Sequence, residues 1–298
     1  MTETRARRLW RVLEPIHAVT YFAPETRRAT DELGLRGGWM SYFGCRAAPL
    51  GTVGAGVVTA VFYNFHPSMV ARAVPDVWGY ASPEQLLAAR LQAVDTAVRR
   101  MLPDWVASTD VQRAAEVSRE AAEKAPVAGR PLGAANAALD WPNDAHLVLW
   151  HASTILRESR GDGHVAALVA AGLSPCQANL TIAASGGPSK DVYQRDRRWS
   201  DDEWDAAAED LRERGLLGAD GELTERGAAV RREVEATTDR LAEQGWKALG
   251  DDKAEQLERL VRPVSKTLMT SGLIPADNPM ALRWPAAELV SVSEARER

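Results

Sequence analysis

The chain has 298 residues, 45% of them hydrophobic, and a formal net charge of −5, which gives enough apolar material for one large domain or two ordinary ones and excludes a general affinity for nucleic acid. Two cysteines, Cys45 and Cys176, make no disulfide framework and point to a reducing compartment. The polar, Arg-rich start carries no apolar leader, and the longest apolar run, residues 51–62, is far shorter than the roughly 20 residues that span a bilayer, so the expectation is a cytoplasmic protein with no membrane contact.

In chain order, residues 3–33 read as helix, with Leu9, Val12, Leu13, Ile16, Val19 and Tyr21 at helical spacing and Pro15 and Pro24 as breaks or kinks. Residues 34–38 interrupt it. Residues 39–62 are glycine-rich and apolar, suited to close helix packing. Pro83 and Glu84 open a helix to about Leu102 that carries Leu86, Leu87, Leu91, Val94 and Val98 on one face. An Ala-rich helix over 104–125, a turn at 126–131 and a short helix over 132–139 follow. Asp144 is placed to cap a helix that runs to about Arg160. The last strong helix covers 254–270, and the Pro-rich stretch after Gly272 is irregular. Ten tryptophans fill core or wall a pocket.

Residues 161–250 carry a further pattern. A helix over 164–171 stops at Gly172, and Ser174-Pro175 supplies an N-cap and first-turn proline for the next. A polar loop over 186–198 leads to Ser200, which caps a third helix ended by Gly215. GLLGADGELTERG then reads as strand, turn and a short strand at 222–224, followed by a helix from Thr224 to about Ala248. This resembles the winged-helix region of MarR-type regulators. The fold class expected is mainly α: a helical domain over 1–160, a winged-helix-like module with a minimal β-wing over 161–250, and a terminal helix and tail over 251–298.

In a winged helix the third helix enters the major groove. Here residues 201–213 hold seven acidic residues and one arginine, set against phosphates spaced one charge per roughly 1.7 Å of duplex axis. DNA is therefore not the expected partner, although the basic set Lys190, Arg195, Arg197 and Arg198 remains as a holder of phosphate, of a small anion or of an acidic partner.

The chemistry-bearing residues fall in three segments. In LEPIHAVTYFAPE, Glu14, His17 and Tyr21 share one helix face and Glu25 is placed to close over it. Glu-x-x-His is a di-iron spacing, but a single copy leaves no metal site expected, and a histidine hydrogen-bonded in the core is the alternative. In LWHASTILRESRGDGHVA, His151, Arg157, Glu158, Asp162 and His164 crowd together. Asp162 lies in a Gly-Asp-Gly turn just before His164, where a carboxylate would fix the imidazole tautomer and raise its basicity; the alternative is a cap on the following helix. In YFGCRAAPLG and NFHPSMVARAVPDVW, Arg46 and Arg72 are candidate anion ligands beside Asn64 and His66, or else structural ion pairs with Glu14, Glu25 or Asp76. Cys45 next to Arg46 is a weaker candidate, an activated thiol. No phosphate loop, dinucleotide fingerprint, cysteine-based zinc site or nucleophile elbow is present, so no cofactor is expected.

These segments, together with WSDDEWDAAAEDLRERGLL and LTERG, resemble a family of actinobacterial helix-turn-helix proteins over nearly the whole chain. More distantly, the chain is similar to the aziridine-forming proteins of azinomycin-type biosynthesis. That resemblance implies intramolecular displacement of a sulfate ester by a substrate nitrogen. His17 or the Asp162–His164 pair would act as base and Arg46 or Arg72 would stabilise the departing anion. The function expected is thus a small-molecule enzyme of natural-product metabolism. Its substrate is free or carrier-tethered, and an accessory protein or second copy is a possible partner. A ligand-responsive DNA-binding regulator and a metabolite-sequestering self-resistance protein are the alternatives.

Overall fold

The computed structural model describes residues 3–284. The polypeptide begins with α1 (Arg5–Phe22), whose N-cap Thr4 accepts from the Arg7 amide. Pro15 is accommodated inside α1, whereas Pro24 starts α2 (Pro24–Glu32) at its first position, where no amide donor is needed. Next come α3 (Gly37–Ala47), α4 (Ala55–Phe62) and α5 (Pro67–Ala71). α6 (Pro83–Met101) opens on a capping box between Ser82 and Gln85. α7 (Pro103–Val106), α8 (Thr109–Glu123) and α9 (Pro131–Ala137) lead to α10 (Ala145–Ala170). α11 (Pro175–Ala183), α12 (Lys190–Arg197), α13 (Asp201–Glu213), α14 (Glu225–Leu249) and α15 (Asp251–Thr270) complete the order.

Mainly helical architecture is therefore borne out, and four local expectations need correction. First, α10 does not end near Arg160: it runs unbroken through Gly161-Asp162-Gly163. Each helical glycine costs about 1 kcal/mol against alanine, but Gly163 has a packing reason. A Cβ there would sit 3.3 Å from Leu241 Cβ on α14 and from Arg130 Nη2, so the glycine lets two helices approach. Second, Asp144 occupies the N-cap position of α10, yet its side chain makes no cap bond and instead meets Arg99 Nη2 at 2.9 Å. Third, the polar loop 186–198 contains α12. Fourth, no β-strand forms among the described residues. Leu217 and Leu223 make one isolated antiparallel bridge, flanked by Gly218 N to Glu222 O at 2.8 Å and Thr224 N to Leu216 O at 3.1 Å. The stretch after Gly272 is irregular to Trp284, as expected; the rest of the tail lies outside the described residues.

α10 is the axis of the molecule, packed against α1, α6, α8, α9 and α14. One apolar cluster joins α1, α6, α8, α10, α14 and α15 through Leu9, Val94, Trp150, Trp246 and Leu257. A second, rich in rings, joins α3 to α6 through Phe43, Phe62, Phe65 and Val77. A third holds the end of α10 to α11, α13 and α14 through Leu168, Leu180, Trp204, Leu211 and Val234. Because α10 and α14 belong to both the first and third clusters, the two ends of the molecule share continuous helices. No single helix among the described residues is long and apolar enough to cross a membrane.

Candidate functional site

A cleft of about 1270 Å³ opens where α1, α3, α10, α12 and α14 meet, with residues 275–284 along one rim. Its aromatic surfaces include Trp10, Tyr21, Trp39, Tyr42, Phe65 and Tyr193. Nine arginines line it, against four carboxylates: Glu14, Asp196, Glu235 and Asp277. Three further carboxylates, Glu3, Glu158 and Asp239, pair with these arginines from outside the lining, so the surplus of positive charge is smaller than the lining alone gives, and it favours an anion over a cation.

Much of the arginine wall is cross-braced. Glu158 accepts from Arg46 Nε and Nη2, both at 2.9 Å, and from Arg157 Nη1 at 2.9 Å. Arg157 Nε also reaches Glu14 at 3.4 Å, and Glu14 accepts from Trp10 Nε1 at 3.0 Å. Burial alone would raise the Glu158 carboxyl, but the Arg157 and Arg46 guanidiniums hold it well below the usual carboxylate range. Asp239 accepts from Arg7 Nε at 3.1 Å and Arg160 Nη2 at 2.8 Å, and Glu235 pairs with Arg7 and Arg231. Arg197 differs. It is 8% exposed, donates Nη1 only to the Asp196 carbonyl at 3.0 Å, lies 4.1 Å over the Phe65 ring and has no partner at Nε. Arg231 likewise leaves Nη1 without a partner. Each of these two guanidiniums thus keeps one buried donor without a partner.

Two histidines meet this wall, and each has its tautomer fixed by a threonine. Thr154 Oγ1 donates to the Trp150 carbonyl at 2.9 Å, so the contact of 3.0 Å with His17 Nδ1 requires the proton to be on the imidazole. His17 Nε2 is then the acceptor for the Tyr21 hydroxyl at 2.9 Å. Thr238 Oγ1 donates to the Val234 carbonyl at 2.7 Å and accepts from His164 Nδ1 at 2.9 Å, which leaves a lone pair at His164 Nε2. Burial lowers both imidazoles, His17 well below 6.5 and His164 to about 3, so both are neutral at physiological pH. Tyr21 and His164 line the cleft, while His17 stands behind Tyr21.

Of the residues singled out from sequence, the structure brings Glu14, Tyr21, Arg46, Asn64, Arg157, His164, Arg195 and Arg197 to the cleft. The others lie elsewhere. Glu25 does not close over His17; it pairs with Arg100 at 2.6 and 3.2 Å. Arg72 lines neither this cleft nor the smaller cavity beside it. His66 Nε2 meets Glu203 at 2.7 Å and its Nδ1 meets Ser68, which ties the start of α5 to the start of α13. His151 is buried edge-on to Trp141 at 4.9 Å, and burial lowers it to about 4. The Cys45 thiol is pushed up to about 11 by burial, which removes it as an activated nucleophile. Arg160, Arg231, Thr154 and Thr238 are the residues that sequence reasoning missed.

Asp162 and His164 do not pair. The Asp162 carboxylate accepts from the Gly133 amide at 2.9 Å and also from Leu132, so it caps the N-terminus of α9 rather than the helix expected to follow it. Burial raises its carboxyl to about 6. The folded protein therefore holds this proton at a higher pH than the unfolded chain, with its value near 3.9, and stability falls as pH rises from about 4 to 6. Asp162→Asn keeps an acceptor for Gly133 without the charge. The variant is expected to be about 1–3 kcal/mol more stable than wild type at pH 8 and equal to it near pH 4, read by thermal unfolding across that range; a gap independent of pH would contradict this assignment.

The α13 surface is acidic. Asp201, Asp202, Asp205, Glu209, Asp210 and Glu213 are exposed, and the one arginine among them, Arg212, is paired with Glu209. The basic set before it is largely consumed: Lys190 meets Asp201 and Asp205, Arg195 meets Asp196 and Asp277, and Arg197 is buried. Against known proteins, residues 6–275 match the model of a helix-turn-helix family, and the chain belongs to that family. No curated protein and no solved structure matches it.

Proposed function

We propose that this helix-turn-helix family member is a small-molecule enzyme whose cleft binds an anionic metabolite and expels an anionic leaving group. The observation that carries the reading is the meeting, in one cleft, of an arginine wall and the Nε2 lone pair of His164. In its specific form the reaction closes a ring. A substrate amine attacks a neighbouring carbon that bears a sulfate ester, the C–N bond forms as the C–O bond breaks, and sulfate leaves with the bonding pair. His164 Nε2 accepts the ammonium proton. Burial makes that imidazole a weak base, and the negative charge of an ester held beside it acts in the opposite direction. Arg157, Arg197 and Arg231 stabilise the charge that develops on the leaving group. The Tyr21 hydroxyl, oriented by His17, fixes the substrate, and alignment of nucleophile and carbon supplies rate. The segment from α11 to α14 acts in this reading as a winged-helix-like wall of the cleft, contributing Tyr193, Arg197 and Arg231.

The test is calorimetric titration of the full chain with phenyl phosphate, a soluble aromatic anion. Saturable binding is expected, weakened about tenfold or more in Arg197→Gln. Release of sulfate from aminoethyl hydrogen sulfate is expected from wild type and not from His164→Ala. Equal binding by wild type and Arg197→Gln would overturn the reading. A second reading, a ligand-responsive DNA-binding regulator, is favoured by the family membership and by the exposure of α13. The acidic face of that helix opposes it.

A further inference from the structure

We propose that a second, smaller cavity, enclosed by α1, α2, α3 and α6 behind the cleft, is a binding site for a small carboxylate with Arg90 as its counter-charge. The cavity measures about 150 Å³, far above the roughly 10–15 Å³ that one water needs on the same measure. Tyr21, Tyr42 and Arg46 line both this cavity and the cleft and so stand between them.

Charge balance carries the argument. Arg90 is 6% exposed and makes no ion pair among the described residues. Its Nη1 donates to the Cys45 carbonyl at 3.1 Å, its Nη2 reaches Asn136 Oδ1 only at 3.5 Å, and its Nε has no partner. The other charges around the cavity are already matched: Arg27 with Asp31, and Arg46 with Glu158, which Arg157 also holds. His17 is neutral. One buried positive charge is left without a carboxylate, held by two carbonyl-type oxygens and by the face of the Trp150 ring at 5.2 Å, and a counter-ion would stabilise it further. A second lining residue is also unsatisfied. Thr26 is 7% exposed and its Oγ1 has no partner. Both unpartnered atoms are covered by neighbouring atoms, so a ligand meets them as the Thr26 rotor and the Arg90 fork turn towards it; a planar fork of N–H donors and a hydroxyl donor match the two oxygens of a carboxylate better than they match a spherical halide. Arg157, Arg197 and Arg231, which would hold a leaving group in the cleft, do not line this cavity, so the test of this site does not depend on the reading of the cleft.

The experiment is thermal unfolding of the full chain titrated with sodium acetate, with sodium phenylacetate and, at equal ionic strength, with sodium chloride. A saturable rise in midpoint with acetate identifies a free carboxylate as occupant. A rise with phenylacetate alone identifies the carboxylate end of a larger ligand that extends past Tyr42 into the cleft. Either rise is expected to vanish in Arg90→Met and to need about fivefold more ligand in Thr26→Val. No saturable rise beyond that of chloride, or the same rise in Arg90→Met, overturns the proposal. If Arg90→Met does not fold, line broadening of carbon-13 acetate and phenylacetate by wild type and Thr26→Val decides it, and absence of saturable broadening with both overturns it.

Discussion

Glu158→Gln is expected to lower the stability of the protein by about 3–5 kcal/mol at neutral pH. The side chain is 1% exposed and accepts three hydrogen bonds of 2.9 Å from two guanidiniums. Glutamine keeps the shape but brings no charge, so Arg46 loses its only carboxylate among the described residues and Arg157 retains the longer contact with Glu14. Two buried cations left largely unpaired cost more than one lost hydrogen bond. The sign of the pH dependence follows from the lowered Glu158 carboxyl. The ion-pair contribution is complete above the unfolded range near 4.3 and fades as pH falls towards the folded value. The difference between wild type and variant, read by urea denaturation, is therefore constant between pH 5 and 8 and narrows below about 4. A difference under about 1 kcal/mol at pH 7 would mean that the network is not the brace described here.

Gly227→Ala is expected to cost about 3 kcal/mol or more, by overpacking at a point that cannot relax. A Cβ at this position would lie 2.0 Å from the Leu216 carbonyl oxygen. That oxygen is fixed because it accepts from the Thr224 amide at 3.1 Å, and Thr224 Oγ1 in turn accepts from the Gly227 amide at 3.0 Å. Moving Leu216 away would break the neighbouring Leu217–Leu223 bridge. The damage should be local at first. Amide exchange is expected to quicken in α13 and the turn before α14, while the amides of α1 and α15 keep their protection. Unchanged exchange in α13 would contradict the account.

This glycine also shows what the sequence makes legible. LTERG announces a helix start because threonine at an N-cap is local chemistry, and the capping boxes at Ser82, Ser174 and Ser200 are visible for the same reason. The course of α10 is less legible. Treating Gly161 and Gly163 as a turn hides that Thr154, Arg157, Gly161 and His164 follow one another at helical intervals on one face, as they do in the structure. With the helix read as continuous, Arg157 and His164 belong to the same wall. α12 was hidden by composition, since KDVYQRDR offers only Val192 and Tyr193 to a core. Long-range pairings such as Glu25 with Arg100, or Asp162 with the start of α9, leave no trace in spacing. That is why both residues looked like members of the site.

In the proposed function the arginine-walled cleft, rather than the exposed face of α13, is where this protein meets its negatively charged ligand. Parallel titrations of the full chain with phenyl phosphate and with mixed-sequence duplex DNA, over a range of salt, separate the two surfaces. Saturable binding of phenyl phosphate that Arg197→Gln weakens is expected, with no salt-dependent association with the duplex. Duplex binding that tightens steeply as salt is lowered, together with phenyl phosphate binding that is absent or indifferent to Arg197→Gln, would contradict this reading.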